Sequence, residues 1–578
     1  MVERLAAHFL PLLLVIVAGA ALRAYHLGTL GLWWDEIVHI WTSQSGGLID
    51  VLREVKRGIP PGTGNAGAVP LDYLLLHLYL RVTTPPEPEA LETYYRVPSF
   101  VYSVLALPML YAFGRRFLDR QIALLSTLLL ALSLPHVLYA AEARFYSLFV
   151  LTTILNLYLF ANLVERRDRW SAWAACGGFN LVYFVSGLFS LLVLGVQYVI
   201  LGVLLARTLL DVRGDVALRR AATRQTVAWL VTGSLVAGCV ALYFMGTWLG
   251  FKHSRTVPPE VLDPIRVTWR TLLTFCSHNS LLLVALLLLP LPLVYARRRG
   301  VLPVVVYLAA SLLLIPAITG IVRWRNYYFH PRHALFLLPA VQILIAISLM
   351  TALRGLDAFR FVPWLRERRA ACNVALACAL VVATQLPTVR AYLAMPERFF
   401  TLSKKTYDLK RVTQTVRDAV ADYAPREKYL LIAQRNSMAN TTLAQYLRWY
   451  RLEDRVVLRG SRDIKKTLRD VRRICKEGSC LGKRGPILDR DLDLTGPMGL
   501  TPDFQRLLGL LRPIGYWPGT VREIGLVAYN KLGKGPAGPG IAEIKMRNVQ
   551  LLRVAGPPPA PASETAGRAA ALLGAPGG

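Results

Sequence analysis

The stretch GLWWDEIVHIW, residues 31–41, sets two carboxylates, Asp35 and Glu36, directly after Trp33 and Trp34, with His39 one helical turn beyond Asp35. A carboxylate within hydrogen-bond reach of a hydroxyl or amine can take its proton as that group attacks an electrophile. A second stretch, YAAEARFYS (139–147), carries Glu142, Arg144 and Tyr146. A third, IVRWRNYYFHPRH (321–333), crowds Arg323, Arg325, His330, Arg332 and His333 together. Guanidinium forks grip a phosphate through paired, charge-assisted hydrogen bonds. Each group also has a plainer reading. Acids at a helix start are favoured by the amide dipoles. Arginines near a membrane surface snorkel toward headgroups, and tryptophans there form an interfacial belt as readily as a sugar-stacking face. Asp35 and His39 supply two possible metal ligands, and two do not make a site.

These side chains must be positioned by membrane helices. The chain has 578 residues, 54% of them hydrophobic, and a mean hydropathy of +0.41. Apolar runs long enough to cross a bilayer recur along it, and a spanning helix needs about 20 such residues. Basic clusters at 114–120, 165–169, 213–224, 297–300 and 353–369 mark short cytoplasmic loops. Two apolar runs lie between consecutive clusters, so each pair is an out-and-back hairpin. The expectation is a polytopic α-helical membrane protein of about eleven spans, near 9–27, 98–113, 121–140, 145–163, 171–186, 187–206, 226–248, 280–296, 301–320, 334–352 and 372–388. The apolar character to about Leu27 reads as an uncleaved span rather than a cleavable signal peptide.

Parity settles one doubtful segment. PLDYLLLHLYLRV (70–82) lies between the first span and the return span at 98–113. A crossing there breaks the alternation, so it reads as a helix lying on the outer interface. All three chemistry-bearing stretches then fall on the outer face. The N-terminus is cytoplasmic and everything after residue 388 is extracytoplasmic.

Three domains follow: a transmembrane catalytic domain at 1–388, an extracytoplasmic α/β domain at 389–555, and a Pro/Gly/Ala-rich tail at 556–578. KYLLIAQ (428–434), RVVLRG and EIGLVAYNKL read as strands, and NTTLAQYLRWYRL as a helix. The formal charge is +31. Much of it orients membrane loops, and no nucleic-acid motif accompanies it, so nucleic acid is not an expected partner. Roughly half lies in the region after 388, as a solvated surface or as one facing anionic headgroups or polymers. Five of the seven cysteines sit in or beside apolar runs; Cys475 and Cys480 are a pair of free thiols or a disulfide.

The order of features resembles the GT-C membrane glycosyltransferases, in the branch of protein O-mannosyltransferases and lipid A aminoarabinose transferases. An acidic pair follows the first span, then the 70–82 segment, in which Tyr73 to Leu76 match a "YYLL" element. Arg96, Pro98 and Ser99 match "RLPS". Glu142, Ala143, Arg144 and Tyr146 match "EARxY". PRHALFLLP (331–339) looks like "RYLLxxLP", with His333 in place of the tyrosine. The resemblance covers residues 9–165 well and 320–340 loosely. Asp72 departs from it, standing where an apolar or aromatic residue is usual, and YFVSGLFS (183–190) lacks the His-Tyr pair often found in such proteins.

The resemblance implies a GT-C fold with juxtamembrane helices in an inner membrane, and an inverting transfer of a sugar from a polyprenyl-phosphate carrier to a lipid, glycan or protein acceptor. Asp35 is then the base, with Glu36 orienting it or the acceptor. Arg144, Arg325 and Arg332, and less directly Arg323 and His330, hold the donor phosphate. Trp33, Trp34, His39, Glu142, Tyr146 and His333 line the substrate. The chemistry calls for no cofactor, and a divalent metal is compatible with it. A polysaccharide polymerase or ligase of the same fold class uses the same carrier. A transporter should place its charges near mid-membrane rather than at one face.

Overall fold

The computed structural model describes residues 2–29, 31–57, 69–211, 216–247, 263–324, 330–356, 369–394, 409–421, 428–434, 437–461, 521–529 and 549–555. The chain forms two compact units, residues 1–30 with 35–404, and residues 31–34 with 405–578. The expected boundary after 388 falls inside a helix that runs to Ala394. The tail at 556–578, Cys475, Cys480 and Arg325 lie outside the described residues.

The first unit is a polytopic helical membrane protein. It begins with α1 (Val2–Ala24), α2 (Trp34–Ser43), α3 (Leu48–Arg57) and α4 (Leu71–Val82). The long α5 (Leu91–Phe117) leads to α6 (Arg120–Leu132), α7 (Leu134–Ala140), α8 (Tyr146–Glu165) and α9 (Trp170–Phe184). Next come α10 (Ser190–Asp211), α11 (Val216–Thr247), α12 (Pro264–Phe275), α13 (Ser280–Leu287), α14 (Pro290–Arg299), α15 (Leu302–Leu312) and α16 (Leu314–Trp324). A 3-10 turn, Pro331–Leu337, runs into α17 (Leu338–Leu356), and α18 (Arg369–Ala394) closes the unit. The hub is α17, whose segment is 94% buried along its apolar window, against 11% for α11. A helix apolar on every side is buried in protein or faces lipid, and these two are the extremes. At Gly114 a Cβ would come within 2.8 Å of Ala123, so glycine lets α5 and α6 approach closely.

Seven helices among the described residues are long and apolar enough to cross a membrane, and up to nine if each bent pair counts as one span. Seven of the eleven expected spans coincide with these. The other four differ for physical reasons. The expected span at 121–140 is α6 and α7, bent by 58° at Ser133. The apolar run at 280–296 is split between α13, bent by 115° against α12, and α14, which starts at Pro290. The α9 helix has 15 residues, and the apolar part of α1, Phe9–Ala24, is also short. Proline forces the first bend. Pro135 has no N–H to offer the Ala131 carbonyl. Arg23 supplies it: Nη1 donates to Ala131 O at 2.9 Å and Nη2 to Leu130 O at 3.1 Å. The same fully buried guanidinium reaches Ser103 Oγ and His136 Nδ1, each at 2.7 Å. A buried arginine thus takes the place of lost helical donors, as a membrane interior demands.

The second unit holds α19 (Leu409–Val420), α20 (Ser437–Trp449) and a four-stranded sheet of β1 (Lys428–Gln434), β2 (Val456–Ser461), β3 (Val521–Tyr529) and β4 (Val549–Ala555). The strand order is β2-β1-β3-β4. β1 runs parallel to β2 and β3, and β4 antiparallel to β3. α20 is the crossover between the parallel pair β1 and β2, which a two-residue turn cannot join.

Candidate active site

The first turn of α2 places Asp35 and Glu36 on different sides, because adjacent helical residues do not face each other. Asp35 keeps a side-chain exposure of 29%, and its Oδ2 lies 3.5 Å from Arg332 Nη2. Glu36 is fully buried. Its carboxylate takes Arg96 Nε on Oε1 at 2.9 Å and Arg96 Nη2 on Oε2 at 3.1 Å, and Oε1 also accepts the Ala143 N–H at 2.8 Å. Arg96 Nη1 donates in turn to Leu27 O at 2.9 Å. The two acids therefore do different work. Glu36, expected to orient Asp35 or the acceptor, fastens α2, α5, the segment after α1 and the 141–145 turn together.

That fastening sets Arg144. The turn follows the bent helix α7, and its Ala143 N–H is the one held by Glu36. Arg144 Nη1 then donates to the Asp35 carbonyl at 3.2 Å, while Ser99 Oγ donates to Arg144 O at 3.2 Å. Burial works to strip the Arg144 proton. Tyr73, Asp35 and Tyr146 outweigh it and hold the guanidinium charged beyond its ordinary range. Arg332 is 3% exposed and its guanidinium lies 5.7 Å from the centre of the Tyr146 ring. Two cations and one carboxylate thus converge. Beside Arg332 lies a narrow cleft of about 10 Å³. Pro135, Leu138, Tyr139, Phe275 and Leu335 give it apolar walls, and Arg332 and His330 stand at its lining.

The remaining expected residues are placed as follows. His330 Nδ1 accepts the Arg332 N–H at 3.4 Å, and His333 Nδ1 accepts the His330 N–H at 3.2 Å, so both imidazoles cap the 3-10 turn that presents Arg332. Glu142 is fully buried, and its carbonyl accepts the Arg144 N–H at 2.7 Å. Tyr146 opens α8, packed on Tyr139. His39 is buried and lies 2.8 Å from Asp72, the residue that departs from the family pattern. Arg323 is exposed at the end of α16. Trp33 and Trp34 are half-buried and group with the second unit. Among the described residues no three His, Cys, Asp or Glu side chains converge on a common point suited to a metal.

Arg96, Arg23, Tyr73 and Asp72 were given no role by the sequence reading. The first two had a signal: a guanidinium within an apolar run always needs a partner.

Residues 89–214 match the dolichyl-phosphate-mannose-protein mannosyltransferase family. The resemblance read from the motifs therefore holds over this stretch, which contains Arg96, Glu142, Arg144 and Tyr146. It covers about a fifth of the chain. No curated protein matches the chain. Among solved structures, ArnT from Cupriavidus metallidurans bound to undecaprenyl phosphate is 15% identical, with 79% of this chain and 87% of that chain covered at a TM-score of 0.43. The Archaeoglobus fulgidus oligosaccharyltransferase in complex with Zn and sulfate is 11% identical, with 89% and 68% covered at a TM-score of 0.42. AglB from the same organism, in complex with an inhibitory peptide and a dolichol-phosphate, is 12% identical, with 74% and 62% covered at a TM-score of 0.36. At such scores these likenesses bear no weight on the site.

Proposed function

We propose that this chain is a membrane glycosyltransferase that moves a sugar from a polyprenyl-phosphate carrier to an acceptor on the outer face of an inner membrane. The observation that carries the reading is the approach of Arg332 to Asp35, 3.5 Å apart beside an apolar cleft. The phosphate meets Arg332 and Arg144, the anomeric carbon lies toward Asp35, and the lipid tail leaves past the apolar side chains beside Arg332, which must part to admit it.

One displacement completes the reaction. The acceptor oxygen or nitrogen attacks the anomeric carbon and Asp35 takes its proton. The bond from that carbon to the phosphate oxygen breaks, and its electron pair leaves with the phosphate. The guanidinium groups of Arg332 and Arg144 take up the growing negative charge in a site already oriented for it. The leaving phosphate has low proton affinity, so no general acid is needed, and the anomeric configuration inverts. No cofactor is required. The acceptor is a lipid, a glycan or a protein.

The reading is tested with the purified chain in proteoliposomes, supplied with a polyprenyl-phosphate mannose or aminoarabinose and crude envelope acceptors. It predicts transfer of label with release of polyprenyl phosphate. Donor that stays intact with every acceptor fraction refutes it.

A further inference from the structure

The segment that leads into Asp35 belongs to the second unit. Residues 31–34 group with 405–578, and the chain returns to the first unit at Asp35. Within the second unit the Leu32 N–H donates to the Tyr446 hydroxyl at 2.6 Å. Leu32 and Tyr446 are each 1% exposed, so water cannot take over either end of that bond. Tyr446 lies in α20, and its ring meets Trp449 edge-on, with centroids 5.3 Å apart and planes at 86°. Glycine at position 31 suits the same contact. A Cβ there would stand 3.1 Å from the Tyr446 hydroxyl oxygen and 3.4 Å from Lys410 Cβ of α19. The first distance is tight, so any side chain at 31 presses the strap away from the hydroxyl.

Asp35 is thereby bracketed. Upstream, the Leu32 amide is tied to Tyr446; downstream, Glu36 is tied to Arg96 and to the Ala143 N–H. Between these ties the Asp35 side chain keeps 29% exposure, with Oδ2 3.5 Å from Arg332 Nη2. An aspartate side chain is short and follows its backbone closely. Asp35 lies in the first turn of α2, and helix ends fray unless something holds them. Glu36 holds one side of that turn, and the Leu32 amide is where the other side is held.

We infer that Tyr446 is a positioning residue: by holding the Leu32 amide it fixes the first turn of α2, and the second unit so sets the aim of the base. The inference rests on the glycosyltransferase reading in taking Asp35 as that base. The donor phosphate meets other parts. Arg332 is presented by the 3-10 turn that His330 and His333 cap, and Arg144 by the turn whose Ala143 N–H is held by Glu36. Those bonds lie within the first unit. Loosening the strap therefore acts on the rate of transfer and leaves donor affinity alone.

The test uses the full chain in nanodiscs. Tyr446→Phe keeps the ring and removes only the hydroxyl. Its kcat should fall about tenfold, the upper end of what one hydrogen bond is worth. The donor KM and the binding of undecaprenyl phosphate should stay as in the parent. Amide exchange in a peptide spanning 31–36 should speed up by a similar factor, while a peptide spanning 437–449 keeps its protection. A merely structural role loosens both peptides and does not separate kcat from KM. Gly31→Ala should lower kcat in the same direction. Combined with Tyr446→Phe it should be no worse than Tyr446→Phe alone, because removing the hydroxyl makes room for the added methyl. Parent-like kcat and exchange in Tyr446→Phe overturn the inference, as do fully additive losses in the double variant or lost protection across 437–449. If the parent neither transfers sugar nor binds undecaprenyl phosphate, the glycosyltransferase reading fails. The tie is then judged by exchange alone: faster exchange at 31–36 with 437–449 unchanged upholds it, and unchanged exchange at 31–36 overturns it.

Discussion

Replacing Glu36 by leucine removes a carboxylate that sits at zero exposure under three donors. Arg96 is left fully buried without its counter-charge. Losing one partner of a buried ion pair costs about 3–5 kcal/mol, most of it the penalty of the stranded charge. Arg96→Met should cost a similar amount, because it strands Glu36 instead. Replacing both by apolar residues of like volume, Glu36→Leu with Arg96→Met, removes both charges together and should recover most of the loss. The coupling between the two sites should therefore approach the sum of the two single costs. Denaturant unfolding of the purified chain in detergent, followed by tryptophan fluorescence, reads all four proteins. Activity adds a second reading. In the double variant the Ala143 N–H has lost its acceptor, so the turn that carries Arg144 is no longer pinned. A shift of about 1 Å in a reacting geometry costs on the order of a hundredfold in rate. The double variant should fold and transfer poorly. Single variants within about 1 kcal/mol of the parent, or strictly additive losses, refute the buried-clamp reasoning.

Three further expectations follow from the same geometry. Arg332→Ala should raise the donor KM far more than the acceptor KM in the transfer assay; equal rises would place Arg332 outside the phosphate site. Arg23→Met should lower the unfolding free energy by about 1–3 kcal/mol, since it leaves the Ala131 carbonyl, freed at the Pro135 bend, without its donor; Pro135→Ala in the same protein should restore stability but straighten the bend and leave transfer low. For His39, the folded proton affinity lies below the unfolded value of about 6.5, so the unfolded chain takes up the proton first. Its contribution to stability is full above about pH 6.5 and is lost as pH falls toward the folded value, and melts between pH 5 and 8 should show less of that acid loss in His39→Gln.

Hydropathy located seven of the spans because a long apolar run has few alternatives in a bilayer. It could not see the bends. The run at 121–140 reads as one helix until Pro135 is asked which carbonyl it leaves bare, and the answer needs Arg23 from another helix. Motif order brought Asp35, Arg144 and Arg332 to one rim, and the structure puts two of their contacts within hydrogen-bond or ion-pair distance. The roles of Glu36 and His39 were harder to read. Asp35 and Glu36 are neighbours in sequence, yet about 100° apart around a helix, so one meets the rim and the other the interior. His39 shares the face of Asp35, but its partner lies 33 residues on, in a helix that only the fold brings alongside. His330 read as a phosphate contact and His333 as a substrate contact; both imidazoles also cap the turn that presents Arg332, a use that spacing alone does not announce.

The account turns on Asp35 as the proton acceptor, and one measurement addresses it directly. Asp35→Asn keeps the shape of the side chain and removes its basicity. Transfer from a polyprenyl-phosphate sugar in proteoliposomes should fall by roughly 10²–10⁴, the usual worth of a positioned base, while undecaprenyl-phosphate affinity stays close to that of the parent. Undiminished transfer by the well-folded variant would contradict the account.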